Sequence, residues 1–143
     1  PTVVNSYQLE KQAVYSRILI DDEIVSTMDE VPLNIMKDTD GKYCFNPYSI
    51  GLLRKTPEGT NPTKQQIFES ISEERKLLLE AINATLYSKV SEKYLWRIVP
   101  FNKICEILPY IFNEYHFDFD ESDIDKLNSL KISIKEIEDN YKA

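Results

Sequence analysis

The chain has 143 residues, with 17 lysines and arginines against 24 aspartates and glutamates, a formal net charge of -7. That length suits one domain able to bury roughly 68–70 % of the surface its unfolded form exposes, so neither a metal nor a disulfide is needed to hold it together. A hydrophobic share of 42 % and a charged share of 29 % argue against overall disorder, and the acidic balance disfavours long-range attraction to phosphate backbones and anionic membrane surfaces.

The two cysteines, Cys44 and Cys105, form no CxxC pair and match no metal framework. They are expected to be free thiols in a reducing, cytoplasmic setting. No apolar stretch approaches the roughly 20 residues of a membrane span, so no membrane partner is expected. No leading segment joins a basic start, an apolar run and a small-residue cleavage site. Lysine outnumbers arginine, and isoleucine, asparagine, aspartate and tyrosine are frequent. That bias points to an AT-rich coding sequence, as in low-GC bacteria, phages and some large viruses.

In chain order, residues 6–20 read as a helix capped by Asn5 or Ser6, with Leu9, Ala13 and Ile20 near one face. The short branched run from Arg17 to Ile20 reads equally as a strand. Asp21-Asp22 interrupts the pattern and can start a short helix reaching Met28, and Pro32 ends that region. Residues 33–45 read as a hairpin turning at Asp38-Thr39-Asp40-Gly41, where Gly41 supplies a positive φ. Asn46-Pro47 is a cap followed by proline at the first helical position, opening a short helix to about Arg54. All three glycines lie between positions 41 and 59, and residues 32–62 form the irregular part of the chain.

Thr63 opens the strongest helical pattern. Ile67, Ile71, Leu78, Ile82, Leu86 and Val90 recur near a 3.6-residue period, with Ser70 and Ser72 before Glu73-Glu74 as a place where the run could divide. The pattern extends to Ile98 and stops before Pro100. Another helical turn or two follows from Phe101 to Leu108, and Pro109 would break a continuous helix. Residues 110–117 are rich in aromatics, which predicts core contact. A long last helix is expected over about 123–142. Its seam of Leu127, Leu130, Ile134, Ile137 and Tyr141 would dock on the domain or pair two copies as a homo-oligomer.

Catalytic signatures are sparse. His116 is the only histidine, which removes paired-histidine metal sites. The acidic run from Asp118 to Asp123 would place aspartate and serine where a calcium loop needs glycine and glutamate. The stretch around Asp38, Asp40 and Gly41 would begin such a loop on Met36 and end it on Pro47, so it also fails. No glycine-rich phosphate loop or GxSxG turn occurs. No cofactor, metal or catalytic residue is therefore nominated, and the chain is expected not to be an enzyme. Abundant carboxylates leave an acid–base enzyme as a third class.

One stretch reverses the sign of the chain. Lys89, Lys93 and Arg97 are spaced four apart, with Tyr94 and Trp96 between them, and would line one side of a helix over 87–98. Such a stripe suits an acidic protein surface or a nucleic-acid backbone with stacked bases. A solvated helix face with Tyr94 and Trp96 packed inward has the same pattern.

The expected fold is mainly α, a compact multi-helix single domain with a small β-hairpin near residues 33–45; an α+β domain using residues 14–20 as another strand is the alternative. The expected function is a non-enzymatic interaction protein that binds and regulates or inhibits a larger protein partner, of the kind phages, viruses and mobile elements carry. The alternative is an accessory domain of a nucleic-acid-handling assembly, which steep salt dependence of binding would distinguish.

Overall fold

The structure, a computed structural model, describes residues 17–29, 32, 34–52, 57–86, 88, 90–113 and 119–142. The protein is mainly helical with a small three-stranded antiparallel sheet. The chain groups into two compact units, Pro1–Pro47 and Tyr48–Ala143. Most of the helix expected over residues 6–20 lies outside the described residues. Its last two positions, Leu19–Ile20, are a strand, so the branched run takes its extended alternative.

The first unit carries the sheet. Strand β1 is Leu19–Ile20, helix α1 is Asp22–Ser26, and strands β2 and β3 are Ile35–Lys37 and Tyr43–Phe45. The order is β1-β3-β2, and Cys44 lies opposite both Leu19 and Met36. Extended backbone at Asp21 ends β1 and lets its carboxylate accept from the Glu23 amide at 2.9 Å, capping α1. In the hairpin turn, the Gly41 amide donates to the Asp38 carbonyl at 2.9 Å and the Asp38 amide donates to the Lys42 carbonyl at 2.8 Å. Gly41 has φ 83°. This is a tight turn followed by one left-handed residue, which only glycine adopts without strain.

The second unit begins within helix α2, Pro47–Leu52. Helix α3, Lys64–Thr85, is capped reciprocally by Thr63 and Gln66, with the Gln66 amide donating to Thr63 Oγ1 at 3.2 Å and the Thr63 amide donating to Gln66 Oε1 at 2.9 Å. It does not divide at Ser72. Ile67, Ile71, Leu78 and Ile82 are buried along one face, and keeping that face in phase outweighs a local start signal. Helices α4, Ser91–Trp96, and α5, Ile98–Asn113, follow.

Both prolines expected to stop helices lie inside α5. Pro100 occupies its first turn, where an amide would have no intrahelical acceptor. Pro109 sits in its interior beside the buried Cys105 and Leu108. An interior proline costs about 3 kcal/mol, and burial of Ile104, Cys105 and Leu108 in the turn before it offsets that cost.

The long last helix is two helices, α6, Glu121–Leu130, and α7, Ile134–Lys142. Asp120 and Asp123 cap the first reciprocally. The Glu136 amide donates to Ser133 Oγ at 3.1 Å at the start of the second. The break resets the helical phase and overturns the continuous seam. Leu127 and Ile137 are buried, but Ile134 is 60 % exposed and Ile132, inside the break, is 3 % exposed. The core of this unit joins Ile67, Ile71 and Ile82 of α3 to Phe101 and Ile104 of α5, with Leu127, Ile132 and Ile137 against them.

Candidate functional site

The basic stretch does not form one helix over 87–98. Helix α3 ends at Thr85. The Ser88 amide then donates to the Thr85 carbonyl at 2.9 Å, and the Val90 amide donates to Ser88 Oγ at 3.2 Å, so a turn separates α3 from α4. Serine hydroxyls compete with the helical ladder in this way. Lys89 lies outside the described residues, and the spacing of four does not become a three-cation helix face.

Two of the cations do converge. The ammonium of Lys93 lies 5.9 Å from the centre of the Tyr94 ring, and the Arg97 guanidinium carbon lies 5.7 Å from it. Lys93, Tyr94 and Arg97 are all half-buried. Trp96 is 6 % exposed, so it packs inward and offers no exposed ring.

Arg97 also works inward. Among the described residues its buried Nε has no hydrogen-bond partner. Burial pushes the Tyr48 phenol up to about 12, and the nearby Arg97 charge acts against that rise while Glu74 adds to it. The guanidinium therefore acts on the Tyr48 hydroxyl as well as lying near the Tyr94 ring. A cation so placed can pair with a carboxylate while the ring covers one side of the contact.

The rest of the described surface offers little for catalysis. Cys44 and Cys105 are buried free thiols, both pushed up to about 11 chiefly by burial. Among the described residues no group of three or more His, Cys, Asp or Glu side chains could hold a metal ion. Among them, too, no helix is long and apolar enough to cross a membrane. An open groove of about 440 Å³ runs beside α3 and α6, where Lys126 lies 4.4 Å from the centre of the Phe68 ring. Its walls mix Glu69 and Glu73 with Lys76 and Lys126, so no single charge is selected.

A charged cluster absent from the sequence expectations lies in the first unit. The Arg17 guanidinium donates to Asp38 at 2.5 Å and to Asp40 at 2.6 Å. The side chains of Arg17 and Asp38 are each 2 % exposed, against 41 % for Asp40. The two aspartates were legible as turn residues, but their cation comes from 21 and 23 positions upstream, and no local pattern announces it.

Comparison of the chain with protein-family models, with curated proteins and with solved structures finds no match.

Proposed function

We propose that this chain is a non-enzymatic interaction protein that binds an acidic surface of a larger protein partner through Lys93, Tyr94 and Arg97, and regulates or inhibits that partner. The observation that carries this reading is the convergence of two cations on one half-buried tyrosine ring in a chain of net charge -7. A local positive spot on an acidic molecule selects a partner by charge pattern, because the rest of the surface repels acidic proteins that lack the matching shape. The tyrosine adds apolar contact and a hydroxyl at little entropic cost.

Nucleic-acid binding is the weaker alternative. The buried Trp96 removes a ring that could stack on a base. Lys93 and Arg97 would supply only two phosphate contacts, for a salt slope of about -2 on a logarithmic plot.

The test compares wild type with Lys93→Glu and with Lys89→Glu/Lys93→Glu, leaving the inward-tied Arg97 in place. Binding to the protein that co-purifies from the native source should fall by about tenfold or more in the double variant, with unchanged thermal melting. Unchanged affinity in a folded double variant defeats the reading. Tight retention of a single-stranded oligonucleotide at physiological salt would favour the alternative.

A further inference from the structure

We propose that Asp40-Gly41 is a latent site of aspartate-to-isoaspartate conversion, which Arg17 holds closed by gripping the Asp40 carboxylate. The chemistry is fastest where the residue after the aspartate has no side chain to obstruct ring closure. Asp40-Gly41 is the only Asp-Gly pair in the sequence, and there is no Asn-Gly. The pair sits at an exposed hairpin tip, and nothing lies within 4 Å of the place where a Gly41 side chain would project.

The Gly41 amide nitrogen attacks Cγ of Asp40. The amide proton and the carboxyl hydroxyl leave together as water, and a five-membered succinimide forms. One water molecule then adds at the former Asp40 main-chain carbonyl and breaks its bond to the Gly41 nitrogen. The chain now runs through the β-carbon, and the old α-carboxyl becomes the free acid. Water is released once and consumed once, and nothing is oxidised or reduced.

Four contacts oppose the first step. The Gly41 N–H is committed to the Asp38 carbonyl at 2.9 Å. Both oxygens of the Asp40 carboxylate are held: Oδ2 accepts from Arg17 Nη2 at 2.6 Å, and Oδ1 accepts from Arg17 Nη1 at 3.2 Å and from the Lys42 amide at 3.1 Å. Rotation of Cγ onto the Gly41 nitrogen breaks these contacts. Hydroxide leaves only from the neutral acid, and Arg17 holds Asp40 below its ordinary 3.8, so that form is scarce. Arg17 is thus a positioning residue for a reaction it suppresses. Once conversion occurs, the backbone gains a methylene and the carboxylate moves, which breaks the paired hold on a guanidinium that is 2 % exposed.

The experiment follows isoaspartate at position 40 during prolonged incubation at neutral pH. Trypsin releases residues 38–42 as one peptide, and its two isomers separate chromatographically at equal mass. Folded wild type should convert at least about tenfold more slowly than the synthetic pentapeptide of residues 38–42, because local opening must come first. Arg17→Gln, shown to be folded by circular dichroism, should convert several-fold faster than wild type, with Arg17→Lys in between. Equal rates in the folded protein and the pentapeptide overturn the proposal, as does a folded Arg17→Gln at the wild-type rate. If neither variant folds, the wild-type-to-pentapeptide ratio decides, and Gly41→Ala in the pentapeptide must slow conversion if the glycine is what makes the site labile.

Discussion

The side-chain amide of Asn102 pairs with the main chain of Ile132 in both directions: Nδ2 donates to the Ile132 carbonyl at 2.8 Å, and the Ile132 amide donates to Oδ1 at 2.8 Å. Ile132 sits between α6 and α7, where no helical ladder serves its peptide groups. A side chain from α5 therefore takes the place of a neighbouring strand. Asn102→Ala leaves a donor and an acceptor of a buried residue unpaired, and should cost about 2 kcal/mol. Urea unfolding is expected to show a lower midpoint with an unchanged slope.

The same break reverses what a continuous helix would predict for its neighbours. Ile134→Asp, which a buried seam would make severe, should shift stability by no more than about 0.5 kcal/mol because Ile134 is 60 % exposed. Ile132→Ala should cost about 2–5 kcal/mol because Ile132 is 3 % exposed and packs in the core. Thermal melts of the two variants side by side check the order. A larger loss in Ile134→Asp would mean that α6 and α7 are continuous in solution.

What was legible in the sequence were features whose causes are local. Thr63 with Gln66, Asp21 before α1, and Gly41 in its turn each act within four residues, and each appears where local chemistry puts it. The break at 131–133 was masked because Leu127, Leu130, Ile134 and Ile137 happen to keep helical spacing across it. Ser133 with Glu136 three residues on has the form of a helix start, and weighing it against the apolar spacing would have exposed the break. The candidate site was half legible. Lys93, Tyr94 and Arg97 do converge, but the spacing of Lys89 assumed a helix that Ser88 interrupts. The partners of Arg17 and Arg75 lie 21 or more positions away, and such pairings follow from the packed fold alone.

Arg75 ties α3 to the C-terminal helices. It donates to both carboxylate oxygens of Glu136 at 2.5 and 2.7 Å and to the Leu130 carbonyl at 2.8 Å. The side chains are 22 % and 31 % exposed, so solvent screens the pair only in part. A double-mutant cycle with Arg75→Ala and Glu136→Ala should give a coupling of about 1 kcal/mol. Arg75→Lys should retain only part of it, because one ammonium cannot serve both the Glu136 carboxylate, held by Nη2, and the Leu130 carbonyl, held by Nε. A coupling indistinguishable from zero would show that the pair does not persist in solution.

Both thiols should be silent in the folded protein. Cys44 is fully buried and Cys105 is 2 % exposed, and burial raises both to about 11. The reactive thiolate is therefore scarce even in mildly alkaline solution. A thiol-titrating reagent at pH 8 should label neither at an appreciable rate, and both within the mixing time once denaturant is added. Rapid labelling of one equivalent without denaturant would expose an opening of the corresponding unit.

Acid should destabilise the protein through two carboxylates whose partners are cationic. Arg17 holds Asp40 below its ordinary 3.8, and Lys64, 2.8 Å from Asp123, does the same for that group. In each case the folded state binds its proton less readily than the unfolded chain. The stabilisation is therefore fully present above the unfolded value and is lost as pH falls through the lower, folded value. Between pH 5 and 8 neither pair contributes a slope, and the melting temperature should drop once the pH goes below about 4. Lys64→Met isolates one of the two. It removes the cation that lowers Asp123 but leaves the reciprocal Asp120–Asp123 cap of α6 in place. That variant should melt lower than wild type at neutral pH, and the gap should close as the solution is acidified, because protonated Asp123 no longer needs its partner. A gap that stays constant from pH 7 to pH 3 would assign the effect to lost packing of the lysine stem over the Phe119 ring, 5.6 Å from its ammonium, and not to the ion pair.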